Sequence, residues 1–441
     1  MWRNGMDRRF VVMFLAAWLG RAAPQTPLTL DEALRLSQQN NLQIKKQQQK
    51  NKIAELDLAG KRGALFPSLD VSATASYTDE IAAIDIPFTL PGLRQPRIEL
   101  GGHDRTELAL GVRQPLFSGF RLRTQVTISR TAFETEEARL AALNQQTAFQ
   151  VGLLFYQMQN LKKERRIQEA SLNRLAVQLE QTRNLYRAAQ VMAYDTLQVF
   201  NQALQVKIQT DQNQRDQRLA ELQMARMLDL PAPRPIAELE LPRPAVPNFS
   251  QDSVVAAAMV NRPEISAAQL SQRAAQLYRK LAISTYFPDI GAEAKYHYAK
   301  PGLNQVADEW MDYTTVGISL QWNLWRWGQD RQRARQAEVE YHRLTLEEHD
   351  LRRSIEWEVQ KSLENIRFAA KQIELAERLY AQQEERYRIV VTQQREGVAS
   401  TNEVVVAEAD LTQAALQLQR ALIQYYVSGI ELKLATGSSL P

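Results

Sequence analysis

The side chains that ordinarily carry catalysis are scattered along this chain. The four histidines, His103, His297, His342 and His349, include one pair seven residues apart but gather no further ligands, and there is no cysteine to complete a structural zinc site. No glycine-rich phosphate loop and no nucleophile motif occurs. Glu347 and Glu348, with the Arg and Gln runs around them, read as a solvated helix face. The sequence therefore predicts no enzyme, no cofactor and no metal. Its informative chemistry is alternation: Leu69, Val71, Ala73, Ala75 and Tyr77 point one way while Asp70, Ser72, Thr74 and Ser76 point the other.

Three more segments repeat that pattern. Leu108, Leu110, Val112 and Leu116 oppose Glu107, Gly111 and Arg113; Ile290, Ala292, Ala294, Tyr296 and Tyr298 oppose Glu293, Lys295 and His297; Val316, Ile318, Leu320, Trp322 and Leu324 oppose Gly317, Ser319, Gln321 and Asn323. Each runs for about 9–11 residues, the length a tilted strand needs to cross a bilayer. The predicted strands are 68–77, 106–117, 289–298 and 314–325. Four strands with one apolar face cannot close a barrel alone, which points to a pore assembled from several copies. Tyr77, Phe117, Tyr296, Tyr298, Trp322, Trp325 and Trp327 cluster toward strand ends, as in an aromatic girdle. An ordinary aromatic core is the weaker reading, because so few strands make no β core.

The rest of the 441 residues suits long helices, with only 17 Gly and 17 Pro. Residues 1–22 carry Arg8 and Arg9, an apolar run from Phe10 to Leu19 and small residues at a cleavage position, so they read as a signal peptide; the run is too short for a spanning anchor. Removing them lowers the formal net charge from +4 to about +1, which withdraws most support for a nucleic-acid partner. A chain exported without cysteine must be held by packing or assembly.

The chain also repeats itself. A shift of 221 places Asp31 on Asp252, Asn40 on Asn261, Ile44 on Ile265, Phe66 on Phe287 and Pro67 on Pro288; past the first strand pair the shift becomes 208, matching Leu116 to Leu324, and then 207, matching Asp195 to Asn402. The expected organisation is a first repeat over 23–230, a proline-rich linker over 231–249, a second repeat over 250–436 and a tail over 437–441. Each repeat holds a leading helix (29–63; 250–285), a Phe-Pro stop, two strands, a long helix (121–188; 329–396) and a return helix (195–229; 401–435). Leu411, Ala415, Leu418, Leu422, Tyr425 and Leu432 keep the spacing of a supercoiled seam.

These features together resemble the TolC family of outer-membrane efflux proteins. The resemblance rests on Leu30-Asp-Glu-Ala-Leu34 followed by Asn40 and Asn41, on Arg262-Pro-Glu-Ile265 at the matching point, on the two Phe-Pro stops, on Gln114-Pro-Leu-Phe-Ser-Gly119 and on Arg395-Glu-Gly-Val-Ala-Ser400. It implies a mainly α fold with a membrane β-barrel: a homotrimer with a 12-stranded barrel continued by a 12-column α-helical barrel, in the bacterial outer membrane and reaching into the periplasm. It also implies a periplasmic adaptor and an inner-membrane pump as partners, with lipid around the barrel. By the same resemblance, Asp195, Glu403, Tyr186 and Arg395 are gate candidates beside the two helix turns. Gln190, Val191, Gly397, Val398 and Ser400 are adaptor-docking candidates. Gln190 stands where the family usually has glycine, and Ala193 where the second repeat has Ser400. The alternative for both acids is a helix-start carboxylate favoured by the dipole. For Gly397 and Ser400 it is ordinary capping.

The expected function is the passive exit duct of a tripartite efflux or type I secretion system. The rival is a secreted or periplasmic coiled-coil scaffold with no pore. An adaptor is disfavoured, since adaptors lack twin strand pairs in a duplicated chain. Cargo is not legible, because drug, metal, protein and polysaccharide exporters share this duct.

Overall fold

The computed structural model describes residues 27–85, 97–242, 250–304 and 306–438. The expected signal peptide, part of the proline-rich linker and the last residues of the tail lie outside them. By internal contacts the chain forms two units, Met1–Lys45 with Ala142–Arg262 and Ser354–Pro441, and Lys46–Ala141 with Pro263–Arg353.

The second unit carries the sheet. Strands β1 (Ser68–Tyr77), β4 (Asp104–Ser118), β5 (Asp289–Lys300) and β6 (Met311–Gln321) pair antiparallel in the order β1-β4-β5-β6, and β2 (Ala83–Asp85) and β3 (Arg97–Glu99) form a small ladder in the first connection. That ladder was not anticipated from the sequence. Pro115 has no N–H for the ladder, and the β4–β5 register shifts between Pro115 and Phe117, so the proline sits at a bulge. Strand β6 corrects an expectation: it ends at Gln321, paired with Asp289, rather than at 325. Pro288 precedes Asp289 and offers no donor to carry the pairing further.

Helices fill the remainder. The leading segment of each repeat is two helices rather than one: α1 (Leu30–Asn40) and α2 (Leu42–Gly63), then α5 (Gln251–Asn261) and α6 (Pro263–Ile283). In the second repeat the cause is Pro263, which holds Arg262 extended at φ −76°, ψ 120°. In the first it is Asn41, whose Oδ1 accepts from Gln43 N at 2.9 Å while its Nδ2 donates to Met227 O at 2.9 Å. The long helices α3 (Arg121–Arg187) and α7 (Gln329–Arg395) each have 67 residues, and the return helices α4 (Ala193–Met227) and α8 (Thr401–Ala435) each have 35. Both ends of both pairs are separated by 208, so the shift does not fall to 207.

Within the first unit, Leu28, Leu34, Val151, Phe155, Met224 and Leu228 make one apolar cluster. Leu28 bridges in parallel to Ile236 of the linker, with Leu28 N donating to Pro235 O at 2.9 Å. Among the described residues no helix is long and apolar enough to cross a membrane.

Candidate functional site

The sheet register places the alternating apolar residues of the four strands on one face. Val71 lies beside Leu110, which lies beside Tyr296; Leu69, Val112, Ala294 and Val316 form a neighbouring row. That face is bare: Leu69 is 69 % exposed, Val71 68 %, Val316 79 % and Ile318 75 %. The other face is polar. There His297 Nδ1 lies 2.7 Å from Glu107 Oε1, its Nε2 lies 2.8 Å from Thr315 Oγ1, and Lys295 pairs with Glu293.

The expected aromatics occupy both ends of the sheet, with one exception. Tyr77 stacks on His103 at 5.7 Å, and Tyr298 on Trp310 at 4.7 Å, at the end joined by the hairpin loops. At the helical end Phe117 meets Phe120 at 5.6 Å, Trp325 meets Trp327 at 6.1 Å, and Trp322 Nε1 donates to Tyr286 O at 3.1 Å. Trp322, Trp325 and Trp327 follow β6 instead of lying in it. Tyr296 is the exception, in the mid-sheet row opposite Leu110 and Thr314.

The two helix turns share one geometry with different side chains. In the second, Gly397 adopts φ 77°, its N–H donates to Gln394 O at 3.0 Å, and Val398 N donates to Gln393 O at 2.9 Å, the left-handed helix stop. In the first, Ala189 adopts φ 56°, its N–H donates to Tyr186 O at 2.9 Å, and Gln190 N donates to Leu185 O at 2.9 Å. The counterpart of Gly397 is therefore Ala189, not Gln190. The counterpart of Ser400 is Met192, not Ala193.

Asp195 and Glu403 then occupy the same third helical position, rather than neighbouring ones. Glu403 accepts from Ser400 N at 2.7 Å and from Ser400 Oγ at 2.9 Å, while Ser400 Oγ accepts from Glu403 N at 3.3 Å. Those bonds, the backbone one first, hold the Glu403 carboxyl below its ordinary range. Asp195 accepts only from Met192 N, at 2.9 Å, because methionine has no oxygen to return. Both acids thus serve as caps within the chain. Tyr186, Arg395, Gln190, Gly397, Val398 and Ser400 are exposed and Val191 is half-buried.

One cluster went unnoticed in the sequence. Glu408 on α8 is 2 % exposed, and its Oε1 accepts from Arg174 Nη2 on α3 at 2.9 Å and from Thr412 Oγ1 at 2.8 Å. The Arg174 guanidinium lies 5.9 Å from the Tyr387 ring centroid on α7, and burial raises the Tyr387 hydroxyl pKa. A second ion pair between α3 and α8 joins Glu164 to Arg420 at 2.7 Å. At a sequence separation of 234 between Arg174 and Glu408, no local pattern marks the first pair.

A family model described as outer membrane efflux protein matches residues 33–229 and 254–438. The chain belongs to that family. This outer membrane efflux protein is also similar in fold to solved structures. They include CusC (15 % identity, TM-score 0.81, 96 % of each chain covered), VceC of Vibrio cholerae (16 %, 0.76, 93 % of this chain and 96 % of that one) and the open state of Neisseria gonorrhoeae MtrE (16 %, 0.76, 93 % and 89 %). No curated protein matches it. Family membership makes it an outer-membrane channel of tripartite efflux systems, located in the outer membrane and extending into the periplasm. The family is one of channel proteins rather than enzymes, and its members work with an adaptor and an inner-membrane pump.

Proposed function

We propose that three copies of this chain close their sheets into a 12-stranded barrel, continue it as a 12-column helical barrel, and serve as a passive exit duct. The observation that carries this reading is the bare apolar sheet face together with its edges. Among the described residues, strands β1 and β6 each pair on one side only. In lipid those free backbone groups require partners, and strands from further copies supply them. The trimer is expected to purify only in detergent, at the mass of three chains, and to conduct in planar bilayers. A detergent-free, soluble monomer would sink the reading and favour the scaffold alternative.

The gate lies at the helix turns in this proposal. Six carboxyl groups, Asp195 and Glu403 from each copy, would surround a narrow axis and disfavour anions. Tyr186 and Arg395 flank them on the preceding turn. The exposed residues of the turns, Gln190, Val191, Gly397, Val398 and Ser400, are the proposed adaptor-docking surface. An adaptor that binds the open arrangement better shifts the population toward it. The motive energy belongs to the pump. Glu403→Ala is expected to raise single-channel conductance; an unchanged value would remove Glu403 from the gate.

A further inference from the structure

Helices α4 and α7 are each apolar on two opposite sides. At about 100° per residue, Val199, Val206, Asn213 and Ala220 define the buried side of α4, and Leu197, Leu204, Leu219 and Leu222 stand on the far side, all exposed. Likewise α7 buries Ile355, Val359, Ile366 and Ile373 and presents Trp357, Phe368 and Leu375 away from them. Among the described residues nothing covers these outer stripes.

The duplication says what does. Helix α8 packs on α3 within the chain: Phe149 and Tyr156 of α3 join Ile423, Tyr426, Val427 and Ile430 of α8 in one apolar cluster, and Tyr156 stacks on Tyr426 at 5.8 Å. Since α3 maps to α7 and α8 maps back to α4 by the same 208, this observed joint has a twin whose apolar residues stand exposed in the single chain. In the twin, Phe149 becomes Trp357, Val427 and Ile430 become Leu219 and Leu222, Tyr156 becomes Glu364, and Tyr426 becomes Arg218. Trp357, Leu219 and Leu222 are 60 %, 56 % and 55 % exposed. Glu364 keeps a side chain that is 73 % exposed beside Arg367, and among the described residues Arg218 has no ion-pair partner in its own chain.

We infer that α7 of one copy docks on α4 of the next through Trp357 against Leu219 and Leu222, with Glu364 facing Arg218. Residues that stack as tyrosines within the chain are replaced, at the joint between copies, by opposite charges. Further along, the buried Arg174–Glu408 pair maps to Gln382 and Phe200, neither of them charged. The joint between copies is therefore uncharged where the joint within the chain is ionically tied. This assignment rests on the trimer proposed above and adds which surfaces meet in it.

The absence of native cysteine makes the test direct. The full chain carrying Trp357→Cys and Leu219→Cys, purified in detergent and mildly oxidised, is expected to run on a non-reducing gel mostly as disulfide-linked dimers and trimers. Either single variant stays monomeric there. The corresponding pair inside the chain, Phe149→Cys with Val427→Cys, forms its disulfide without changing the chain count. Independently, Glu364→Arg lowers the trimer fraction at least several-fold, and adding Arg218→Glu restores it. A trimeric native mass without cross-linked species, or without rescue by the charge exchange, overturns the seam while leaving the trimer standing. A monomeric native mass overturns both.

Discussion

The first helical pair, α3 with α4, and the second, α7 with α8, are equal in length and differ in how they turn and in what they bury. The first pair turns through Ala189 at φ 56° and enters α4 at Met192, which has no capping oxygen; the second turns through Gly397 and enters α8 at a complete Ser400–Glu403 box. Two turns further on, α8 places Glu408 in a buried ion pair where α4 places Phe200, 48 % exposed. The duplicated backbone kept its geometry while the side chains diverged. The α3–α8 joint is fastened by an ion pair, while α4 and α7 keep apolar surface outward.

The largest expected effect breaks the fastening. Arg174→Ala leaves Glu408 buried without its cation and is expected to cost about 3–5 kcal/mol, read as a lowered unfolding midpoint in detergent. Phe200→Ala, at the matching place in the first pair, should move the midpoint little when measured on the unassembled chain. Equal losses would mean that the ion pair ties α3 to α8 no more firmly than Phe200 holds α4.

Smaller effects belong to the turns. Ser400→Ala is expected to cost about 1 kcal/mol, and Met192→Ser to gain a similar amount by completing the box with Asp195. Ala189→Gly relieves a left-handed alanine and Gly397→Ala creates one, so they should shift stability in opposite directions by about 1 kcal/mol each. Thermal unfolding of the four variants decides whether the turns differ by their caps and stops alone.

The smallest effect is on pH. Because the folded Glu403 carboxyl titrates below its ordinary value, its contribution is complete above the unfolded value and is lost as acidification passes through the folded one. Ser400→Ala removes both hydroxyl bonds to Glu403, so the loss of stability on acidification through and below the ordinary glutamate range should become shallower. An unchanged acid limb would show that the box does not stabilise the turn.

Much of the molecule was legible in local pattern. Alternation at Leu69 to Tyr77 and at Ile290 to Tyr298 marks strands because side chains of a strand take opposite faces in turn. The absence of proline from 121 to 188 permits a long helix because nothing interrupts its hydrogen bonds. The break at Arg262 was also available, since Pro263 dictates it. The turn register was harder to read. Ala189 takes a conformation usually left to glycine, so aligning residue types across the turns chose Gln190 and lost one position.

The sequence by itself determined the alternating strands, the helices and their duplication, because each depends on residues within a few positions of one another. Only the tertiary structure decided that Arg174 meets Glu408, that Asn41 reaches Met227, and that β6 stops opposite Asp289. Those contacts join segments far apart in the chain, and side-chain periodicity carries no information about which distant partner completes an ion pair or ends a ladder.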